Sequence, residues 1–78
     1  MSDAQILEGI QKVAREHLDF EGDIALDTPL AEALELDSIR MLTLVVELEN
    51  HFEVILEEDD ESGIETVGDL VRVIKVRL

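Results

Sequence analysis

Few of the 78 residues have side chains suited to chemistry. His17 and His51 fall near the ends of two predicted helices, where a helix-end cation or a half-exposed neutral ring accounts for them without catalysis. Glu47 and His51 stand one helical turn apart and can share a cation, but no third ligand is in register. The run Glu57-Glu58-Asp59-Asp60-Glu61 can gather cations weakly. It lacks the alternating ligands, central Gly and distal Glu of a defined calcium loop. With no Cys there is neither a disulfide framework nor a thiolate metal site. Ser38 stands apart. It follows Asp37 at the start of the strongest helical pattern in the chain. Ordinary capping explains the pair, with Asp37 as N-cap and Ser38 as a small first-turn residue. The same placement exposes a hydroxyl where the helix dipole and free N–H groups favour an attached phosphate, so the position suits modification through a phosphodiester.

The elements that must position Ser38 are helical. Ile6, Ile10, Val13, Ala14 and Leu18 recur at spacings of three and four, which predicts an amphipathic helix over 3–18 opened by a Ser2/Gln5 capping box. Residues 19–36 carry no sustained period and read as a long loop, with a short turn near 30–34. Leu26, Leu30, Leu34 and Leu36 are expected to pin this loop to the core. So long a loop in so small a domain points to a function for what it delivers. It delivers the helix 38–52, whose apolar arc of Ile39, Leu42, Val45, Val46, Leu48 and Phe52 is wider than one small core needs. The surplus marks either a central bundle position or a surface reserved for a ligand. Val54-Ile55-Leu56 reads as a packed loop, the acidic run as at most a short helical turn, and Thr66 with Asp69 as the capping box of a last helix. That helix carries the apolar stripe Val67, Leu70, Val71, Ile74 and Leu78. The expected fold is all-α, a bundle of three longer helices and one short third helix, forming a single domain over 1–78.

Six basic against twenty acidic residues give a formal charge of −14. Such a surface disfavours nucleic acid and anionic membranes and favours basic protein partners. No apolar run approaches the roughly 20 residues of a bilayer span, and the N-terminal residues lack the pattern of a signal peptide. A soluble, cytoplasmic monomer without membrane insertion is the expectation. An enzyme is not, because no base, orienting group and pocket can be assembled from these residues.

Leu34-Glu35-Leu36-Asp37-Ser38-Ile39, followed by an apolar helix ending Glu49-Asn50-His51-Phe52, resembles the acyl carrier proteins. Thr28-Pro29-Leu30, Leu56 with its following acids, and Ile64-Glu65-Thr66-Val67 extend the resemblance over nearly the whole chain. The resemblance implies that Ser38 carries 4′-phosphopantetheine, installed from coenzyme A by a phosphopantetheinyl transferase. The arm's thiol would hold an acyl group as a thioester and offer it to acyl-loading and acyl-using enzymes. It makes Asp37 the motif residue and helix cap. It makes Ile39, Leu42, Val46 and Leu56 candidates for an acyl pocket or partner contact, with core packing the favoured reading for Leu42 and an even one for Val46. Arg40 and Glu49 become candidates for partner recognition.

Two departures from the family pattern bear on function. Glu35 stands where the family usually has Gly, two residues before the motif Asp. Arg40 and Thr43 replace acidic residues typical of fatty-acid carriers, so an exposed Arg40 would interrupt the acidic strip and alter partner choice. That implies a specialised carrier rather than the housekeeping one of fatty-acid synthesis, with polyketide-like, lipid-modifying or aminoacyl-carrying metabolism as the candidate pathways. The competing reading is a non-covalent acidic module whose wide helix face binds an apolar partner helix. A cation-responsive module built on 57–61 is a weaker third. Self-repulsion has a direct consequence. Raising ionic strength from about 0.01 M to about 0.15 M shortens the screening length from ~30 Å to ~8 Å, so Tm should rise in thermal scans followed by circular dichroism. A Tm that falls or stays level would show that the charge is already compensated in the fold.

Overall fold

A computed structural model describes the backbone of all 78 residues and every side chain except those of Glu58 and Glu61. Helix α1 spans Asp3–His17, a single turn α2 spans Leu30–Ala33, α3 spans Ser38–Phe52, α4 spans Glu58–Ser62 and α5 spans Val67–Arg77. Three long helices with the short α4 make the expected four-helix bundle, and α2 is the turn inside the long connection. Helix α1 packs against both α3 and α5. Strands are absent among the described residues; only an isolated bridge between Pro29 and Thr66 is formed.

The helix ends are set by side chains that compete for backbone groups. Ser2 Oγ accepts from Gln5 N at 3.2 Å, and Gln5 Oε1 accepts from Ser2 N at 2.8 Å. Thr66 and Asp69 form the same reciprocal box at the start of α5. The Asp69 carboxyl is held below the usual carboxylate range chiefly by the backbone N–H groups of Thr66 and Glu65. Two further donors at this end, the N–H groups of Val67 and Gly68, are taken by loop carbonyls of Thr28 (2.9 Å) and Leu26 (2.7 Å). Donors that a helix leaves unpaired thus become the anchor of the long loop. Farther back, the Gln11 amide serves the loop as a strand would, donating to Gly22 O and accepting from Ile24 N at 3.0 Å.

One aliphatic core unites Ile6, Ile10, Val13, Leu30, Leu34, Leu44, Leu48, Phe52, Val67, Leu70 and Ile74. Leu26 corrects the sequence reading. Its side chain is exposed, because its carbonyl is committed to Gly68 and turns the residue outward; Ile24 fills the pinning role instead. Val54 and Leu56 are buried while Ile55 between them faces water, the alternation of an extended packed loop. Gly9, which interrupts the helix pattern of α1, lies where α3 comes closest. A Cβ there would stand 2.5 Å from Phe52 Cζ. Exposed ion pairs join the elements at their rims, Lys75 to Asp3 at 2.9 Å and Arg77 to Asp60 at 2.7 Å. Pairs of this kind contribute about 0–1 kcal/mol, so they follow the packing and do not set it.

Gly68 is the sharper glycine constraint, since a Cβ would sit 2.8 Å from the backbone oxygen of Leu26. Gly68→Ala is expected to destabilise the bundle by ~1–3 kcal/mol in urea unfolding, despite the better helix propensity of Ala. Gly63→Ala, with nothing within 4 Å of the added carbon, is the neutral control. Equal midpoints for both variants would mean that the loop does not anchor to α5 as described.

Candidate functional site

Ser38 reaches its position through three consecutive devices. Helix α2 ends in a Schellman turn: Leu36 N donates to Ala31 O at 3.0 Å and Glu35 N to Glu32 O at 3.4 Å, with Glu35 in the left-handed region at φ 50°. This turn reverses the chain and buries Leu34 beneath it. Asp37 then caps α3, its Oδ1 accepting from Arg40 N at 2.7 Å, while its carbonyl accepts from Met41 N at 2.9 Å. Because Asp37 does the capping, Ser38 is free of it. The residue is exposed, and its hydroxyl has no hydrogen-bond partner among the described residues. The opening of α3 thus presents an unengaged nucleophilic oxygen at the positive end of a fifteen-residue helix.

Helix α3 carries two apolar stripes on nearly opposite sides. Leu44, Leu48 and Phe52 are buried against the bundle, with Val45 packed beside them. Ile39, Leu42 and Val46 are 76%, 65% and 42% exposed. At 100° per residue, spacings of three and seven keep these three within one arc pointing away from the core. The surplus apolar arc is therefore surface. This corrects the packing expected for Leu42, which faces water because Leu44, Val45 and Leu48 already occupy the inward side of the helix. Val46 also falls on the outer side.

Three other candidates lie off the outer stripe. Leu56 lies in the core, not on the outer stripe, because the loop after α3 turns back at Glu53 (φ 56°) and carries it under the bundle. Glu49 holds that loop: its Oε2 accepts from Leu56 N at 2.9 Å and its carbonyl accepts from Val54 N at 3.2 Å. Its carboxylate is thus committed inward and does not belong to an open acidic strip. Arg40 is half-buried, not exposed. Its guanidinium donates to Leu34 O through Nε (3.2 Å) and Nη2 (3.0 Å), and to Leu18 O through Nη2 at 3.0 Å. Carbonyls left over at helix C-termini draw the fork inward, so the positive charge does not cut across the outer surface as expected. Glu47 pairs with His17 of α1 at 2.9 Å across the bundle, in place of the Glu47–His51 pairing considered from spacing. Among the described residues, no group of three or more His, Asp or Glu side chains is arranged to hold a metal.

The site is thus a small helical bundle that offers a hydroxyl without a partner among the described residues at a capped helix start, with an apolar stripe behind it. Residues 8–74 match the family described as the phosphopantetheine attachment site. The chain is 35% identical to an acyl carrier protein of Exiguobacterium sibiricum over the full length of both. It is 32% identical to one of Beutenbergia cavernae, covering 94% of this chain and 90% of that one. Its fold matches a provisionally assigned acyl carrier protein (Rv0033) of Mycobacterium tuberculosis with a TM-score of 0.81 and 28% identity, over 91% of this chain and 96% of the other. The chain belongs to the acyl carrier protein family, whose members bear a covalent 4′-phosphopantetheine group. The residues present fit that group. It needs an accessible hydroxyl and a site tolerant of phosphate, and the Ser38 oxygen is exposed and unbonded beside the N–H groups that open α3.

The Schellman turn places Glu35 where Gly would be more comfortable. A side chain in the left-handed region costs about 1 kcal/mol or more, and Gly avoids it. Glu35→Gly should leave Tm unchanged or raise it, the relief being partly offset by the freer unfolded chain. Glu35→Val places a β-branched residue at φ 50° and should lower stability by ~1–2 kcal/mol. Thermal melts giving the two variants the same Tm would contradict the turn.

Proposed function

We propose that this chain is a single carrier domain over residues 1–78 that bears its 4′-phosphopantetheine on Ser38, through which an acyl group is held as a thioester and shown to acyl-handling enzymes. The observation that carries the assignment is the division of labour between Asp37 and Ser38. The Asp37 carboxylate satisfies the cap, so the neighbouring hydroxyl has no structural duty. In the reading proposed here, Ser38 Oγ supplies the oxygen of the phosphodiester, and the positive end of α3 steadies the phosphate charge. Bound there, the group supplies the thiol to which the acyl chain is joined.

The chain's own part is presentation. Ile39, Leu42 and Val46 form an exposed apolar stripe running from Ser38 along α3, suited to contact with the phosphopantetheinyl transferase and with acyl-loading and acyl-using enzymes. That stripe, which alone would also suit a non-covalent helix-binding module, is here the contact face of the carrier. Partner surfaces are expected to be basic, given the formal charge of −14. Asp37 is the exposed acid nearest the attachment point. Leu56 and Glu49 serve the face indirectly, by fixing the loop behind it. The described residues include no helix long and apolar enough to cross a membrane, and the reading is completed by a monomer working in the cytoplasm in fatty acid, polyketide or related lipid biosynthesis.

Incubation with coenzyme A and a broad-specificity phosphopantetheinyl transferase, read by intact mass, tests the assignment. The wild type should gain one arm and Ser38→Ala none, while Ser38→Ala keeps its helical spectrum and its Tm within a few degrees. Loading of Ser38→Ala would move the attachment to another residue, and loss of its fold would make Ser38 structural.

A further inference from the structure

Arg40 joins three helix ends, one through its backbone and two through its side chain. Its backbone N–H receives the cap of α3 from Asp37, and its guanidinium closes over the carbonyls of Leu18 and Leu34. Leu18 is the C-cap of α1 and Leu34 the C-cap of α2. Both carbonyls lie at the negative end of a helix, where a cation is favoured. Among the described residues no other side chain donates to either oxygen. Leu34 immediately precedes the strained Glu35, and the four residues 34–37 are the whole approach to Ser38. Leu34 and Leu36 pack against the core, and the Schellman bonds tie the backbone of this approach to the single turn α2, a weak hydrogen-bonded anchor because four residues make little helix by themselves. The guanidinium adds a hydrogen-bonded tie from the same approach to the end of α1.

Resting on the assignment of Ser38 above, we infer that Arg40 is a positioning residue: its bridge between Leu18 and Leu34 holds the 34–37 approach, and with it the start of α3, in the arrangement that a phosphopantetheinyl transferase engages. The planar fork is essential to this role, since Nη2 serves both carbonyls while Nε adds a second bond to Leu34. A Lys ammonium carries the same charge but cannot reproduce that geometry. Loss of the bridge lets the approach sample other arrangements, so only a fraction of the carrier is competent at any moment. The apparent KM for the carrier then rises by the inverse of that fraction while kcat is retained.

The test compares wild type, Arg40→Met and Arg40→Lys with coenzyme A and one transferase, alongside amide hydrogen exchange on the same unmodified proteins. Arg40→Met keeps the apolar stem without donors and should raise the carrier KM about tenfold or more at unchanged kcat, as expected for loss of charge-assisted bonds. Exchange at the Leu36 amide should quicken by a similar factor, while exchange at Leu48 in the core stays as in the wild type. Arg40→Lys should recover only part of both effects. Wild-type exchange at Leu36 in Arg40→Met overturns the inference. So does full recovery by Lys, which would make the effect one of charge. A loss of exchange protection at Leu48 in both variants would make Arg40 a determinant of the whole fold, and also overturns it; should Arg40→Met alone fail to fold, Arg40→Lys, which keeps the charge, carries the comparison at Leu36. Failure of the Ser38 assignment looks different: the wild type itself would stay unloaded, or Ser38→Ala would load, whatever the exchange at Leu36.

Discussion

The burial of Leu44, Leu48 and Phe52 against α1 fixes the rotation of α3 about its own axis, and the face the protein shows to its surroundings depends on that rotation. Each of these side chains contributes ~1.5–3 kcal/mol on burial, against about 0–1 kcal/mol for an exposed ion pair such as Lys75–Asp3. Hydrophobic packing therefore decides the orientation, and the ion pairs adapt to it. Gly9 permits the close crossing at the Phe52 ring. Once the inner ridge is buried, the helical repeat leaves Ile39, Leu42 and Val46 outside, along the helix that Ser38 opens.

The second governing requirement is that unpaired backbone groups find partners. In a domain of this size a large share of the backbone lies at helix ends, and the chain uses those ends as joints. Carbonyls of Leu26 and Thr28 complete the start of α5, Arg40 closes the ends of α1 and α2, and Glu49 collects the N–H of Leu56. A long irregular loop is held in this way without a strand or a disulfide. Near Ser38, the Arg40 guanidinium is committed to the carbonyls of Leu34 and Leu18.

Local signals were legible in the sequence wherever a residue acts on near neighbours. The Ser2/Gln5 and Thr66/Asp69 boxes and the Asp37 cap follow from side chains within four residues of their targets. The Asp37-Ser38 motif is local in the same sense. What the sequence concealed was long-range. Arg40 reaches Leu18, twenty-two residues away, and Glu49 reaches Leu56, so both look like free surface charges until the fold brings the carbonyl or N–H to them. The two stripes of α3 merge into one wide arc on paper, because periodicity shows that residues share a side but not which side the bundle covers. Leu26 misled for a related reason, its backbone oxygen being wanted by Gly68 and its side chain paying with exposure.

The central claim is that Ser38 is decoupled from the packing that holds the bundle, so that a group can be attached there without disturbing the fold. The most direct measurement is a comparison of two-dimensional amide and methyl NMR spectra of the unmodified protein and the protein loaded with its arm. The account predicts shift changes confined to residues 36–42 and the outer stripe through Val46, with the core methyl signals of Ile10, Leu48 and Ile74 unmoved. Changes spread through those core methyl groups would contradict it, by showing that the Ser38 position is part of the packing after all.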